Sequence, residues 1–363
     1  MDNGRKKIAL LTFWKNANHG TALQAFALCK YILRLGFNAE YILYNSRVGI
    51  SKKTSLIRKF IEVFNLFKFY GIKGVVEEDK RKIPSNENHL ILQFWNKIPH
   101  SNVVYNKQSC RESLDLYSLF IVGGDQLWNP YITISNYFYL LDFVDVPSKK
   151  HSYCPSFGVS SLSESYLKKL KRHLTSFSNI GCRDTIISTF LSDFLKKKVT
   201  NNVDPVLLLS KNEWQDVMEP LPLPPKFILC YQLGDLHKVR ISAKELAEQK
   251  RIPVLFLTHD SAPVSISNIS PNNFIYIIAN ADIVVTDSYH GILFSIIFEK
   301  KFVPFYKRFG DESILDNFRI YDLCHSLDIP IECLANISLD HDSMLYDKII
   351  KSKKYIQNIL NYA

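Results

Sequence analysis

The first 44 residues carry a strand, loop, helix and strand pattern that restricts the fold to the α/β class. A continuous apolar run, IALLTF at 8–13, is typical of a strand covered on both faces. After a polar loop, apolar residues recur at helical spacing between 22 and 33, and Gly36 supplies a stop. A second strand is predicted at 41–44. Because strands joined through a helix pair in parallel, we expect a parallel sheet at the N-terminus.

The same alternation of apolar strands and helical segments continues along the chain. Further strands are predicted at 119–122, 151–154, 179–182, 226–233, 253–257, 283–286 and 302–306. The proline-rich stretch LPLPPK at 221–226 fits neither a helix nor a central strand and indicates a linker. We therefore predict an N-terminal α/β domain at 1–210 and a C-terminal α/β domain at 211–363. These two Rossmann-like domains would face each other across a cleft, with the last helix packing back on the first domain.

One stretch interrupts the alternation and predicts a basic helical insert at about 49–95. Within it, residues 52–73 place a leucine and three phenylalanines on one helical face, flanked by lysines and Arg58. Such a helix either packs its aromatic face on the sheet or lies on an anionic membrane surface. The sequence leaves both interpretations open.

Charge and cysteine content narrow the partners and the compartment. The formal net charge of +10 indicates an anionic partner, but the basic residues are dispersed and no nucleic-acid-binding motif is present. We therefore expect no nucleic-acid partner. The seven cysteines stand singly without zinc-type spacing, which predicts free thiols in a reducing cytoplasm and no metal site. No run reaches the roughly 18 apolar residues of a spanning helix.

The loop NANHG at 16–20 joins the first strand to the first helix, where backbone amides at a helix start face a bound ligand. It contains one glycine, whereas a dinucleotide fingerprint needs three, so dinucleotide binding is disfavoured. Asn18, His19 and Gln24 either contact a polar ligand or belong to a capped helix start without one.

A second motif, FIVGGDQLWNP at 120–130, ends an apolar strand in two glycines followed by polar and aromatic residues. Paired glycines permit close approach of a ligand, and these side-chain types hydrogen-bond to sugars or stack on them. The candidate sugar contacts are Gly124, Gln126, Trp128 and Asn129. The alternative is a polar turn with a buried tryptophan.

Two later motifs supply an arginine and a histidine at strand ends. Arg183, in GCRD at 181–184, carries a fork of donors that matches a carboxylate or phosphate, or else forms a salt bridge. Asp184 is a candidate cap for the next helix. In TDSYHG at 286–291, His290 stands at the start of an apolar helix, with Asp287 and Ser288 as capping candidates. By itself, the segment indicates either a general acid–base residue or a packed turn histidine.

Six segments, taken in order, resemble the polysaccharide pyruvyl transferase family over about residues 7–322. They are NANHGTALQAFAL, FIVGGDQLWNP, SYCPSFG, GCRD, NVDPVLLL and ADIVVTDSYHGILFSIIF. The resemblance implies a GT-B-like fold. It also implies transfer of a pyruvyl group from phosphoenolpyruvate to a sugar of a cell-surface polysaccharide or of its lipid-linked precursor, giving a pyruvate ketal and phosphate. The first domain would hold the acceptor and the second the donor, with phosphoenolpyruvate as co-substrate and no resident cofactor or metal.

The resemblance assigns His290 to the family histidine that acts on the donor, and Arg183 to the arginine after the middle strand. Many relatives carry an arginine where this chain has Ser288, so Arg308 or Arg319 would have to replace it. The expected donor-binding residues are Arg183, Ser288, Gly291, Arg308 and Arg319. Asp125 or Asp287 would be a second catalytic carboxylate beside His290.

The expected acceptor, a lipid-linked oligosaccharide at the cytoplasmic membrane face, would give the basic segment 52–73 a use on an anionic membrane. Two alternatives stay open. One is a nucleotide-sugar-dependent glycosyltransferase of the same architecture, and the other is a non-catalytic glycan-binding family member.

Overall fold

The structure is a computed structural model that describes residues 7–15, 18–45, 85–133, 137–234, 237–257, 268–306, 318–341 and 343–363, with only the backbone for 85–88. The predicted basic segment 52–73, most of the insert at 49–95, and Arg308 lie outside these residues.

The N-terminal half is built on a parallel sheet with the strand order β3-β2-β1-β4-β5. Its strands are β1 (Lys7–Leu11), β2 (Ala39–Tyr44), β3 (His100–Tyr105), β4 (Tyr117–Val122) and β5 (Lys150–Ser152). A parallel pair, β6 (Ile180–Cys182) and β7 (Val199–Asn201), adjoins β5 through a single bridge between His151 and Asn179. The helices of this half are α1 (His19–Arg34), α2 (Ser85–Asn96), α3 (Glu164–Leu174) and α4 (Thr185–Leu195).

The C-terminal half is built on a second parallel sheet with the order β11-β10-β8-β9. Its strands are β8 (Ile228–Tyr231), β9 (Val254–Leu257), β10 (Ile283–Thr286) and β11 (Lys301–Pro304). The remaining helices are α5 (Lys211–Gln215), α6 (His237–Lys250), α7 (Pro271–Asn280), α8 (Tyr289–Ile297), α9 (Phe318–Ser326) and α10 (Met344–Leu360). The prediction of an α/β fold with two Rossmann-like parallel sheets is confirmed.

Each sheet reverses its strand order at one point, and that point determines where a ligand can bind. In the first sheet the order reverses between β1 and β4, and in the second between β8 and β10. Crevices open at the carboxyl ends of strands beside such a reversal. Asp125 lies in the loop that follows β4, and His290 lies in the first turn of the helix that follows β10.

A shared apolar core joins the two sheets. The largest cluster of buried apolar residues takes members from β1, α1, β8, β10 and α8. Within it the ring of Trp214 lies 5.0 Å from that of Phe294 in an edge-on arrangement, and 5.8 Å from that of Phe26 on α1. Aromatic contacts of this kind stabilise beyond the area they bury. The two halves are therefore joined by apolar packing that includes α1, α5 and α8.

The last helix contacts the N-terminal half directly. The hydroxyl of Tyr355 donates to the carbonyl of Ser152 at 3.0 Å, and the amide of Val203 donates to Oγ of Ser352 at 3.0 Å. Helix α10 therefore lies against the end of β5 and the segment after β7. Among the described residues, no helix combines the length and apolarity needed to cross a bilayer.

Candidate functional site

The first turns of helices α1 and α8 meet at His290. Asn18 caps α1, with its Oδ1 accepting from the amide of Thr21 at 3.1 Å, and Ser288 caps α8 through Gly291 at 3.2 Å. A Cβ placed on Gly20, in the first turn of α1, would lie only 2.1 Å from Nδ1 of His290. Glycine at position 20 therefore lets the buried imidazole pack directly on the backbone of α1.

Arg183 lies at the centre of a buried charge cluster. Its side chain is 5% exposed. Nη1 donates to Oδ2 of Asp204 at 2.9 Å, and Nη2 donates to Oδ1 of Asp125 at 2.6 Å and to Oγ of Ser156 at 2.8 Å. The guanidinium also lies 4.7 Å from the ring centroid of Tyr289. A planar fork with this many donors can bind two carboxylates at once, and here it does.

Asp125 bridges two arginines that come from distant parts of the chain. Its Oδ1 binds Arg183, and its Oδ2 accepts from Nη1 of Arg319 on α9 at 2.7 Å. Burial opposes ionisation, but the charges of Arg319 and Arg183 outweigh it and hold the pKa of the Asp125 carboxyl well below its usual range. Two of the three arginines predicted to bind the donor are thus brought together around one carboxylate, and the third, Arg308, lies outside the described residues.

Asp204 places a second carboxylate between Arg183 and His290. Its Oδ2 lies 3.5 Å from Nε2 of His290, an ion-pair distance that is too long for a good hydrogen bond. Burial again opposes ionisation, yet His290 and Arg183 together keep the pKa of Asp204 below its usual value. Asp204 was not predicted as a site residue, although it lies in the segment NVDPVLLL.

Several buried polar atoms around the cluster have no hydrogen-bond partner within the described part of the chain. They are Oγ1 of Thr12, Nε2 of Gln24 and Nε2 of His290. Gly124 adopts a φ of +138°, and a Cβ there would lie 2.5 Å from Oγ1 of Thr12. Because buried polar groups are almost always paired in a native protein, Oγ1 of Thr12 and Nε2 of Gln24 are suited to a polar ligand, whereas Nε2 of His290 faces Asp204.

Gln24 also fixes the loop that carries Asp125. Its Oε1 accepts from the amide of Asp125 at 3.0 Å, which leaves its amide nitrogen near Gly124. His19, by contrast, stacks on Phe274 of α7 with the ring centroids 5.2 Å apart. Gln24 therefore belongs to the cluster, while the ring of His19 packs on the C-terminal half.

The other predicted sugar contacts lie mainly in structural positions. Trp128 is fully buried, and its Nε1 donates to the carbonyl of Tyr139 at 2.9 Å. Asn129 is fully buried too, and its Nδ2 donates to Oε1 of Gln126 at 3.3 Å. The structure does not bring Trp128 and Asn129 to the charge cluster, because the turn after β4 directs them into the core.

Asp287 binds backbone amides. Its two carboxylate oxygens accept from the amide of Leu233 at 2.6 Å and from that of Gly234 at 2.8 Å. A Cβ on Gly291 would lie 2.9 Å from Oγ1 of Thr286, so the space there is already filled. These contacts support the loop after β8 and the start of α8. Of the two aspartates predicted as a second carboxylate, Asp125 is the one that joins the cluster.

Asp184 occupies the cap position of α4, but its side chain does not cap the helix. Its Oδ2 accepts from the amide of Phe157 at 2.6 Å. The first amides of α4, those of Thr185 and Ile186, donate instead to Asp322 of α9 at 2.8 and 3.1 Å. The cap thus comes from a residue 137 positions away from Thr185 along the chain, which no local pattern could indicate.

The charge state of Asp184 predicts a pH dependence of stability. Burial raises the pKa of Asp184 to about 7; Arg183 opposes the shift and Asp322 adds to it. The carboxyl of the unfolded chain titrates near pH 4, so between about pH 4 and 7 the folded chain binds more protons than the unfolded chain. The free energy of unfolding therefore falls as pH rises through that window.

Asp184→Asn is expected to reduce this fall by about 1–2 kcal/mol, because the amide oxygen still accepts from Phe157 but nothing titrates. Urea unfolding at pH 5 and pH 8 measures the difference. An unchanged difference between the two pH values would contradict the assignment of this titration to Asp184.

A pocket of about 410 Å³, open solvent included, adjoins the cluster. Its charged and polar lining includes Arg183, Asp184, Thr185, Asn201, Asn202, Asp204, Asp322, Arg319 and Lys348. The Arg319 side chain is 17% exposed, compared with 5% for Arg183, so Arg319 is the more accessible of the two arginines. No group of three or more His, Cys, Asp or Glu residues is arranged to hold a metal ion in the part of the chain that the structure describes.

Comparisons with known proteins give a family and distant structural likenesses. The family model described as polysaccharide pyruvyl transferase matches residues 18–306. Comparison with curated proteins gives no significant match. Among solved structures, UDP-GlcNAc 2-epimerase from Methanocaldococcus jannaschii is 11% identical with a TM-score of 0.48, and the superposition covers 98% of this chain and 99% of the epimerase chain. UDP-N-acetylglucosamine 2-epimerase from Rickettsia bellii is 8% identical with a TM-score of 0.46, and the superposition covers 98% of this chain and 96% of the epimerase chain.

Proposed function

The chain belongs to the polysaccharide pyruvyl transferase family, and from that premise we propose that it uses phosphoenolpyruvate as donor and forms a cyclic pyruvate ketal on a sugar, with release of phosphate. The acceptor is a sugar of a cell-surface polysaccharide or of its lipid-linked precursor. No resident cofactor takes part in this proposal.

The observation that carries the proposal is the pair of arginines, Arg183 buried and Arg319 partly exposed, that Asp125 holds beside His290. The donor carries a carboxylate and a phosphate, and arginine forks bind both groups well. Arg319 is the more exposed arginine of the pair and lines the pocket. It therefore supplies the positive charge that Ser288 lacks, while Arg183, deeper in the cluster, orients the carboxylates around it.

In the proposed reaction, the carbon of phosphoenolpyruvate that carries the phosphate gains bonds to two sugar oxygens and loses its bond to the phosphate oxygen. A proton is added to the methylene carbon of phosphoenolpyruvate, and a sugar hydroxyl bonds to the adjacent carbon while losing its own proton. The bond from that carbon to the phosphate oxygen then breaks, and phosphate leaves with the electron pair. A second hydroxyl of the same sugar bonds to the same carbon, and the released phosphate takes up the proton that this hydroxyl loses.

His290 is the group to which we assign the proton movements. Imidazole is suited to general acid and base work near neutral pH. The two arginines would offset the charge that develops on the departing phosphate. Thr12 and Gln24, whose buried polar atoms lie near Gly124, would receive the acceptor hydroxyls in this proposal.

Incubation with phosphoenolpyruvate and a panel of galactosides, mannosides and N-acetylhexosamines tests the donor class. We expect phosphate release that depends on the acceptor. Turnover of a nucleotide sugar without consumption of phosphoenolpyruvate would instead favour a glycosyltransferase. No turnover with any free or lipid-linked acceptor would leave glycan binding as the function.

We further propose a lipid-linked acceptor at the cytoplasmic membrane face, with the basic segment 52–73 on the anionic lipid. Deletion of 52–73 should lower binding to vesicles that contain anionic lipid by about tenfold or more, since each basic residue near such a surface contributes about 1 kcal/mol. Activity on a soluble acceptor should persist. Unchanged vesicle binding and unchanged activity on a lipid-linked acceptor would exclude this role.

A further inference from the structure

Asp204 is held rigidly in the orientation that presents one oxygen to His290. Its side chain is fully buried. Oδ1 accepts from the amide of Val206 at 3.1 Å, and Oδ2 accepts from Nη1 of Arg183 at 2.9 Å. The same Oδ2 is the atom 3.5 Å from Nε2 of His290. With both oxygens engaged, the carboxylate cannot rotate away from the imidazole without losing a hydrogen bond.

The Nδ1 edge of the imidazole faces the first turn of helix α1. Nδ1 lies against the backbone of Gly20, and the ring of the preceding Tyr289 is 5.4 Å away in an edge-on arrangement. The titratable groups next to His290 are Asp204, Asp125 and Tyr289, and the guanidinium of Arg183 hydrogen-bonds to both aspartates. Of these, Asp204 is the carboxylate that faces Nε2.

The charges of the cluster favour uptake of a proton when an anion binds. Two guanidinium groups, Arg183 and Arg319, are joined by hydrogen bonds to two carboxylates, Asp125 and Asp204. The charges of these four groups balance. A polyanionic donor would leave the cluster negative, and a proton on Nε2 beside Asp204 would then restore part of the balance.

We propose that Asp204 is the positioning residue of His290: its carboxylate faces Nε2, fixes the ring orientation and stabilises the protonated imidazole, and the proton that goes to the donor leaves from Nδ1. This inference rests on the proposed function. Asp204 acts through His290, in the way a buried carboxylate orients and charges a catalytic imidazole.

Asp204→Asn tests the proposal, since the amide keeps the size of the side chain but removes its charge. We expect kcat for phosphate release to fall about 10- to 100-fold, with KM for phosphoenolpyruvate changed less than about threefold. Because a carboxylate favours the protonated ring, its loss should also move the basic limb of the kcat–pH profile to lower pH, by about one unit. Asp282→Asn is the matched control, because Asp282 accepts from the backbone amide of Phe227 at 2.9 Å in the second sheet.

A second variant and a second measurement keep the test independent of folding and of turnover. Asp204→Ser retains an oxygen able to accept from Val206 at a cap position and should show the same shift of the pH profile. NMR titration of the His290 ring, assigned with a His290→Gln variant, should show proton loss at lower pH in both Asp204 variants. An unshifted ring titration in folded Asp204→Asn would overturn the role of Asp204. A shifted titration in a protein that never releases phosphate would instead contradict the proposed function.

Discussion

Replacement of His290 by glutamine is expected to lower kcat for phosphate release by about 100-fold or more, because general acid–base catalysis contributes about 10²–10⁴ to such a rate. Glutamine fills similar space and can still hydrogen-bond, so the fold should survive. Steady-state phosphate release with saturating phosphoenolpyruvate and acceptor measures the effect. His151→Gln is the matched control, since His151 is also fully buried but lies on β5 and its Nε2 hydrogen-bonds to the carbonyl of Ser148.

A companion variant keeps His290 but displaces its imidazole ring. In Gly20→Ala the added methyl group would lie 2.1 Å from Nδ1 of His290, so the ring must shift. Because a small displacement of a reacting group can cost about 100-fold, we expect a loss of activity close to that of His290→Gln. Alanine is a better helix former than glycine, so thermal stability should change little. Full activity in Gly20→Ala, or a rate within threefold of wild type in folded His290→Gln, would remove His290 from the mechanism.

Replacement of Arg183 by methionine is expected to destabilise the fold by about 3–5 kcal/mol, the cost of leaving a buried charge without its partner. The carboxylates of Asp125 and Asp204 would both lose a hydrogen bond from this guanidinium. Urea unfolding at neutral pH measures the loss. Arg111→Met is the control, because the ion pair of Arg111 with Asp145 is exposed and its loss should leave the unfolding midpoint nearly unchanged.

The effect of Arg183→Met should also depend on pH. The native pKa values of Asp125 and Asp204 are lowered, so their ionised forms contribute stability above about pH 4 that is lost as pH falls further. Without Arg183 the two carboxyls would take up protons at higher pH, and the difference from wild type should shrink in acid. Addition of Asp204→Asn to Arg183→Met should recover part of the stability at neutral pH. A loss below 1 kcal/mol for Arg183→Met would show that the cluster does not stabilise the fold.

Local sequence patterns predicted most of the sheet framework. The apolar runs at 8–13 and 283–286 form β1 and β10, and the first helix ends just before the predicted stop at Gly36. Strands β3 and β7 were missed. In β3, HSNVVY mixes polar and apolar residues without alternation, and Val103 and Val104 are about half exposed. β7 has three residues, too few to show a period.

The site was predictable only where its residues follow a strand. Arg183, Asp125 and His290 each stand just beyond a strand end, where parallel sheets place their ligand-binding loops. Asp204 was missed because its partner His290 is 86 positions away, and a long-range contact leaves no local trace. Trp128 was predicted to face a sugar because a buried tryptophan and a stacking tryptophan look alike in a glycine-containing turn. The contact between Gly20 and His290 likewise depends on the packing of α1 against α8.

The most direct test of the account is the mass of the acceptor after incubation with phosphoenolpyruvate and the wild-type protein. We predict that an accepted sugar gains the mass of one pyruvate less one water, in step with the release of one phosphate, and that the His290→Gln variant produces neither change at a comparable rate. Phosphate release without any gain in acceptor mass, or a mass gain equal to a whole hexose from a nucleotide sugar, would contradict it.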